Sequence, residues 1–520
     1  MTVAGTVSSP KNLVLAAMIF AVSMTFIDQT IVAIAAPKLQ SELGLTATGV
    51  QWAINAYLLS LAALFAFGGR LADTVGHKKM VIVGVVIFAA ASAMCGLTPR
   101  GGLAEAWIVT FRLVQGAGGA LMFPAALAIV VQTFSLHERG KALALFFGIA
   151  GGLTAIGPIL GGYLTEWTWR AIFWVNIPVA IIALVLIIMS DPTTVHRPGR
   201  IDYRGLALIA SGVALSIVGF QQATIWGWHS PWTWLCIVAG IGLLVAFSIV
   251  ELRTREPLIQ VKIFRIRAFF AENLVLFIAM LAFVPFFFFA SEYAQVSLGK
   301  NASQAGLVLL YFFLGFVVAS QIGGRILDRR GAKGPVVIGC ALSAVGFALW
   351  AGKVTDLNLS SQIWFVVLAG AGMGFMLTPA STDAVNRASR YSYGEATGIT
   401  QTVRNYAASL GLAILGTILV TELRSRITTS LVSQGVPRGL AASEAAKISE
   451  SGGSAGSHAI PHFIRLDFAY ATRAVFYVMA GVMAAAALAG LVGLQPGRQE
   501  EVSVADALDE SPPSTAPALE

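Results

Sequence analysis

Long apolar runs separated by short polar turns organise almost the whole chain. Fourteen runs lie near 12–35, 49–69, 80–97, 104–132, 141–165, 170–190, 203–225, 231–251, 268–291, 303–325, 334–352, 362–383, 395–422 and 468–494. At about 1.5 Å per residue, each can cross roughly 30 Å of hydrocarbon. Backbone polar groups in lipid need internal partners, and the runs are too long and continuous for barrel strands. Helices are therefore expected throughout. The first run is too long for the apolar core of a signal peptide, and no small-residue cleavage site closes it.

Composition agrees with a polytopic all-α membrane protein. The 520 residues are 57% hydrophobic and 12% charged, with a mean hydropathy of +0.78. The net charge of +8 is unevenly spread. Lys and Arg crowd the loops on the N-terminal side, whereas the short loops opposite are nearly bare. That bias predicts cytoplasmic N- and C-termini in a cell membrane, and it argues against nucleic acid as a partner. Cys95, Cys236 and Cys340 all fall within spans and offer neither a disulfide framework nor metal-ligand spacing. His458 and His462 sit four apart in "HAIPH", but the intervening proline argues against a helical metal pair, so no metal is expected. No phosphate-binding loop of Walker type occurs. Neither a cofactor nor ATP is expected to supply the energy.

One polar turn is written twice: "GGRLADTVGHKK" begins at Gly68, and "GGRILDRRGAKG" begins at Gly323. Each follows the start of its six-span unit by nearly the same distance and links that unit's second and third spans. The predicted organisation is a cytoplasmic N-terminus (1–11), a six-helix bundle (12–190) and a linker carrying two inserted helices (191–267). A second six-helix bundle follows (268–495), with a long outer loop at 423–467, and a disordered cytoplasmic tail (496–520) ends the chain.

Further motifs stand in a consistent order: "FIDQTIVAIAAP", "QWAINAYLL", "FRLVQGAGGALMFPA", "GPILGGYL", "WTWRAIFWVNIP" and "GEATGITQTVRNYAASLGLAILGT". With the repeated turn, they resemble the major facilitator superfamily, and within it the fourteen-helix drug:proton antiporters (EmrB/QacA-like). The resemblance covers about residues 12–495. It implies two six-helix bundles plus two inserted helices, alternating access, and export of a small amphipathic or cationic compound against protons. It leaves oligomeric state open, with a monomer plausible. Export of lipid or an endogenous metabolite is the alternative within the fold. A membrane enzyme or scaffold is the alternative outside it, and no nucleophile–base set within the spans favours an enzyme.

Ionisable residues inside a membrane are costly and mark candidate sites. Asp28 and Arg112 each lie about eight residues, roughly 12 Å, from the outer ends of their oppositely running spans, so they share one depth. A proton on Asp28 would change such a pairing; a permanent ion pair fastening the two helices is the alternative. The resemblance implies a proton-coupling role for both. Asn55, Tyr57, Gln115, Arg404 and Asn405 are candidates to line a cavity, and Glu292 could attract a cationic substrate. The alternative for Glu292, and the reading for Glu166, Glu272, Asp383 and Glu395, is a helix-end residue solvated among headgroups.

In "GPILGG", Gly157, Gly161 and Gly162 allow close helix approach and Pro158 permits a bend; Gly148 and Gly152 extend the smooth stripe. The first polar turn reads as a conformational latch of Gly69, Arg70, Asp73, Gly76 and Lys78. Asp73 would dock on a helix N-terminus or on Arg139, and Asp328 and Arg329 would serve in the second copy. His77 stands where the resembling signature usually carries a permanent cation.

Overall fold

The computed structural model describes residues 11–134, 136–192, 201–387, 393–450 and 460–497. The first ten residues, the tail from 498 and the Ser/Gly stretch 451–459 lie outside these. So do the side chains of Arg139 and Glu395 and the positions Gly148 and Gly152.

Lipid demands internal satisfaction of the backbone, and the described residues contain helices and no strand. The first bundle comprises α1 (Lys11–Leu43), α2 (Ala47–Val75), α3 (His77–Gly96), α4 (Ala104–Thr133), α5 (Leu136–Trp167), α6 (Ala171–Trp174) and α7 (Asn176–Ser190). Two inserted helices follow, α8 (Tyr203–Trp226) and α9 (Pro231–Arg253). The second bundle comprises α10 (Arg267–Val296), α11 (Ala302–Arg330), α12 (Lys333–Lys353), α13 (Ile363–Asn386), α14 (Tyr393–Ser433), an outlying α15 (Arg438–Glu450) and α16 (His462–Gly493). Among the described residues, thirteen candidate spans are long and apolar enough to cross a membrane, with α6 and α7 together making one. α5 adds a further helix of 32 residues.

Two expectations need adjusting. The sixth span, read over 170–190, is one membrane-spanning segment, Ala171–Ser190, whose hydrogen-bond ladder is interrupted at Val175. Pro178 has no N–H for the Trp174 carbonyl, so the ladder is interrupted there. The segment 423–467, read as a loop, carries ordered helix: α14 runs on to Ser433 and α15 follows. An i,i+4 pair between Arg426 and Glu422 (2.8 Å) supports the polar extension of α14 beyond its apolar stretch.

Within each bundle, helices meet at glycines whose replacement would collide with backbone. A Cβ on Gly68 would stand 2.0 Å from the Ala120 carbonyl oxygen, and one on Gly116 would stand 2.5 Å from that of Tyr57. In the second bundle Gly323 faces the Phe375 carbonyl at 2.6 Å and Gly370 that of Phe312 at 2.0 Å. Gly84 against Gly118 recurs as Gly339 against Gly372, each at 2.7 Å. The repeat seen in the polar turn thus extends through the helix seams. Gly68→Val and Gly370→Val should each cost about 1–3 kcal/mol or more through overpacking. The effect should be read as a lower melting temperature and yield in detergent. Gly102→Val, with nothing within 4 Å of its Cβ position, should leave both unchanged.

The bundles are clamped at the end where α1 finishes and α2 begins. Gln295 donates to the Ile34 carbonyl (3.0 Å), the Ser303 N–H to Glu166 (3.3 Å) and Gln40 to the Glu450 carbonyl (3.2 Å). Gly162 abuts Ser303 and Ala302, while Gly306 abuts the Pro158 carbonyl. Gly157 and Gly161 instead seat α5 on α1, against Thr30 and Ile31. α8 packs against both α2 and α14, which also meet each other directly, and the outer face of α9 exposes Trp232, Trp234, Leu235 and Val238 as lipid-facing surface.

Candidate functional site

A buried polar cluster occupies the first bundle. Arg112 of α4 donates from Nη1 to Asp28 Oδ2 of α1 at 2.5 Å and to Gln115 Oε1 at 2.7 Å. Its Nε donates to the Ala53 carbonyl of α2 at 2.8 Å. The guanidinium lies over the Tyr57 ring, 4.5 Å from the centroid, a favourable cation–π placement. Gln115 donates to Asp28 Oδ1 at 2.9 Å and to Ser92 of α3 at 3.2 Å. Asn176 of α7 donates to the same Ser92 oxygen at 2.9 Å, and the Ser92 hydroxyl donates to the Phe173 carbonyl. Asp28 is 0% and Arg112 1% exposed. In such a dry setting an ion pair persists only when its remaining donors and acceptors are matched, and this cluster matches them.

The structure therefore brings together Asp28, Arg112, Gln115 and Tyr57. It adds Ser92, Asn176 and the Ala53 carbonyl, which sequence reasoning missed. A lone serine in an apolar helix carries no signal, and a carbonyl carries none at all. Asn55 points elsewhere. Its amide donates to Gln221 of α8 at 2.6 Å, and its oxygen accepts from Ser409 of α14. One stretch of α2, 53–57, thus grips Arg112 through Ala53 and Tyr57 and grips the second bundle through Asn55.

By register of the glycine seams, Tyr57 corresponds to Phe312 and Gly116 to Gly370, so the second bundle has aromatic packing where the first has charge. Phe283, Phe286, Phe287, Phe312 and Phe313 form a continuous ring cluster, with Phe286 and Phe312 stacked at 4.2 Å. Phe288 and Phe289 are equally buried, so the four-phenylalanine run is interior packing.

Other candidates are dispersed. Glu292 is not a solvated helix end: it is 7% exposed, on α10 one turn before Gln295. Arg404 is half-buried and donates to Gln401 at 2.7 Å, with Asn405 buried beside it; neither reaches the cluster. Glu272 and Asp383, also read as solvated ends, are 1% and 2% exposed, because the ends of α10 and α13 stay packed inside the bundle.

At the polar turn Gly76 adopts φ +111°, a left-handed conformation that favours glycine, and so joins α2 to α3 without a loop. Asp73 pairs with His77 at 3.0 Å and is half exposed. Arg70 pairs with Glu256 of the segment leading to α10 at 2.8 Å, and Lys78 pairs with Asp191. Docking of Asp73 on Arg139 falls outside the described residues. Gly69 faces the Pro124 ring at ordinary contact distance. Asp328 and Arg329 are exposed and make no ion pair among the described residues, so the second copy of the turn is not latched here.

Comparison with known proteins gives this architecture its family. The sequence profile of the Major Facilitator Superfamily matches residues 18–412, and the chain belongs to that superfamily. It is a multi-span transporter, not an enzyme. It is 32% identical to the tetracenomycin C resistance and export protein of Streptomyces glaucescens, over 82% of this chain and 79% of that one. It is 30% identical to the multidrug transporter protein MdtP of Bacillus subtilis, over 82% and 78% respectively. Among solved structures, the xylose transporter XylE from E. coli superposes with a TM-score of 0.58 at 11% identity, covering 92% of this chain and 96% of that one. That likeness is one of fold alone.

Proposed function

We propose that this protein is a proton-driven exporter of amphipathic compounds, cationic ones included, working by alternating access in the cell membrane without a cofactor. The observation that carries the reading is the buried Asp28–Arg112 pair, held on one side by Gln115 and on the other by α2. Two relatives, a tetracenomycin C resistance and export protein and a multidrug transporter, support the substrate class. With both termini cytoplasmic, the clamped end is the outer one, and this conformation is closed to the outside.

A proton on Asp28 removes the charge that holds Arg112. The guanidinium then rests on the Ala53 carbonyl, Gln115 and the Tyr57 ring, and any shift it makes pulls on α2. Asn55 carries that shift to Ser409 across the bundle interface. Glu292 lies in the second bundle near the same clamp as a buried carboxyl without an ion-pair partner among the described residues, so a bound cationic substrate would draw it into its charged form. Asp28 and Glu292 thus separate the proton from the cargo.

The polar turn sets the balance between conformations from the other end. Asp73→Asn removes the charge facing His77 but keeps an amide oxygen within reach of its Nε2, so the buried imidazole is not left unpaired. It should lower the transport rate several-fold while expression holds; unchanged transport would remove the latch role. The reading as a whole is tested by loading expressing cells with a fluorescent lipophilic cation. Expressing cells should retain less dye, and a protonophore should erase the difference. A difference that survives the protonophore would rule out proton drive.

A further inference from the structure

Arg404 of α14 differs from the two arginines that carboxylates hold within the bundles. Arg112 meets Asp28, and Arg387 meets Asp383. Arg404 meets no carboxylate among the described residues. Its one hydrogen bond there runs from Nη1 to Gln401 Oε1 at 2.7 Å, a neutral partner on its own helix. Its Nε is buried and has no partner among the same residues. A guanidinium held out of water without a counter-charge is costly, and a hydrogen-bonded anion relieves that cost.

The register of α14 sets where such an anion would lie. Positions 397, 401, 404 and 408 recur at helical spacing and share one face. Ala408 on that face is packed into the core of the first bundle, at the contact between the bundles. Arg404 lies one turn nearer the inner end, about 16 Å along the helix from Tyr393 and well inside the apolar run. Beside this turn the packing opens, because a Cβ on Gly398 would meet no neighbouring atom within 4 Å. Thr397, on the face of Arg404, is 4% exposed, and its hydroxyl has no hydrogen-bond partner among the described residues. Thr400, one turn from Arg404, is 3% exposed and equally unpartnered. A buried helical threonine commonly bonds back to the preceding turn, as Thr402 does to the Gly398 carbonyl at 3.0 Å. Thr397 and Thr400 leave their hydroxyls open instead.

We propose that Arg404 seats the anionic head of an amphipathic acid, a carboxylate or phenolate, with the Thr397 and Thr400 hydroxyls as further donors. The chemistry of the set selects the charge of the ligand. A guanidinium only donates, each hydroxyl has a proton to give, and no carboxylate among the described residues stands with them to receive a cation. Occupancy of the site does not depend on the exporter reading; only its use in transport does. In that reading the acid enters from the inner side and lodges beneath the bundle contact that must open to release it.

The test is binding of two pyrene compounds, pyrenebutyrate and its uncharged methyl ester, to the purified full-length protein in detergent. Wild type should bind the carboxylate about tenfold more tightly than the ester, the worth of one charge-assisted hydrogen bond. Arg404→Gln should lose that preference, and Arg404→Lys, which keeps the charge, should retain part of it. Thr397→Val is the second variant: it leaves the charge in place and should weaken carboxylate binding several-fold while the ester is unaffected. Equal affinity of wild type for the two compounds would overturn the proposal, as would a carboxylate preference that survives both Arg404→Gln and Thr397→Val. Displacement of pyrenebutyrate by phosphatidylglycerol but not by a second soluble amphipathic acid would assign Arg404 to a lipid headgroup and overturn it too. Carboxylate binding that depends on Arg404, with failure of the dye experiment above, would sink the exporter reading while leaving this site standing.

Discussion

Asp28→Asn is expected to abolish proton-driven transport while leaving a folded, membrane-inserted protein. Asparagine keeps the shape of the aspartate and one acceptor for Arg112, but it carries no charge and takes up no proton. Arg112 would still hold the Ala53 carbonyl and Gln115, so the first bundle stays assembled around it. Losing one partner of a buried ion pair nonetheless carries a penalty of about 3–5 kcal/mol, and a lower melting temperature should accompany the functional loss. Arg112→Ala should be worse for stability, because it strips Asp28 of its counter-ion and empties the space beneath Tyr57. A protein carrying Asp28→Asn that still responds to a pH gradient like wild type would leave the pair as a mere fastener of α1 to α4. Binding of a labelled substrate by the folded variant, measured alongside, separates lost coupling from lost protein.

The second large effect is expected at the clamp. A Cβ on Gly306 would stand 2.4 Å from the Pro158 carbonyl oxygen, so α11 lies against backbone of α5 from the other bundle. Gly306→Val cannot be accommodated by turning a side chain; the two bundles must separate at that end. Each bundle keeps its own seams, so the protein should fold, insert and bind detergent normally. Transport should fall to background. A cysteine introduced at Ser303, which sits in this contact, should react with an impermeant thiol reagent faster in the Gly306→Val background than in wild type. Gly242→Val, on α9 with nothing within 4 Å, is the matched control and should change neither reading. Equal labelling with full transport would show that the α5–α11 contact is not a gate.

Much of this architecture was legible because lipid makes the sequence code simple. Apolar runs long enough to span give helices, and the twice-written turn gave the register of the two bundles. Asp28 and Arg112 stood out because charge is rare within spans and counting residues from the helix ends sets depth. What sequence reading missed has a common physical cause: depth is readable from a chain, but the face a side chain presents is set by the neighbouring helix. Asn55 was a cavity candidate, yet Ser409 and Gln221 take its amide. Ser92 and Asn176 complete the cluster through contacts between α3, α4 and α7 that no local pattern encodes. Glu272 and Asp383 were assigned to water because they lie near the ends of their apolar runs, but the helix ends there remain packed against neighbours. The polar extension of α14 was read as loop for a related reason, since hydropathy stops where the hydrocarbon stops and helix need not.

The measurement that bears most directly on proton-coupled export is transport of a lipophilic cation by the purified protein in sealed proteoliposomes under an imposed pH gradient. Substrate movement should accelerate when protons run the opposite way, reverse with the gradient, and vanish in Asp28→Asn. Movement of the cation at a rate indifferent to the gradient, in wild type and variant alike, would contradict the mechanism.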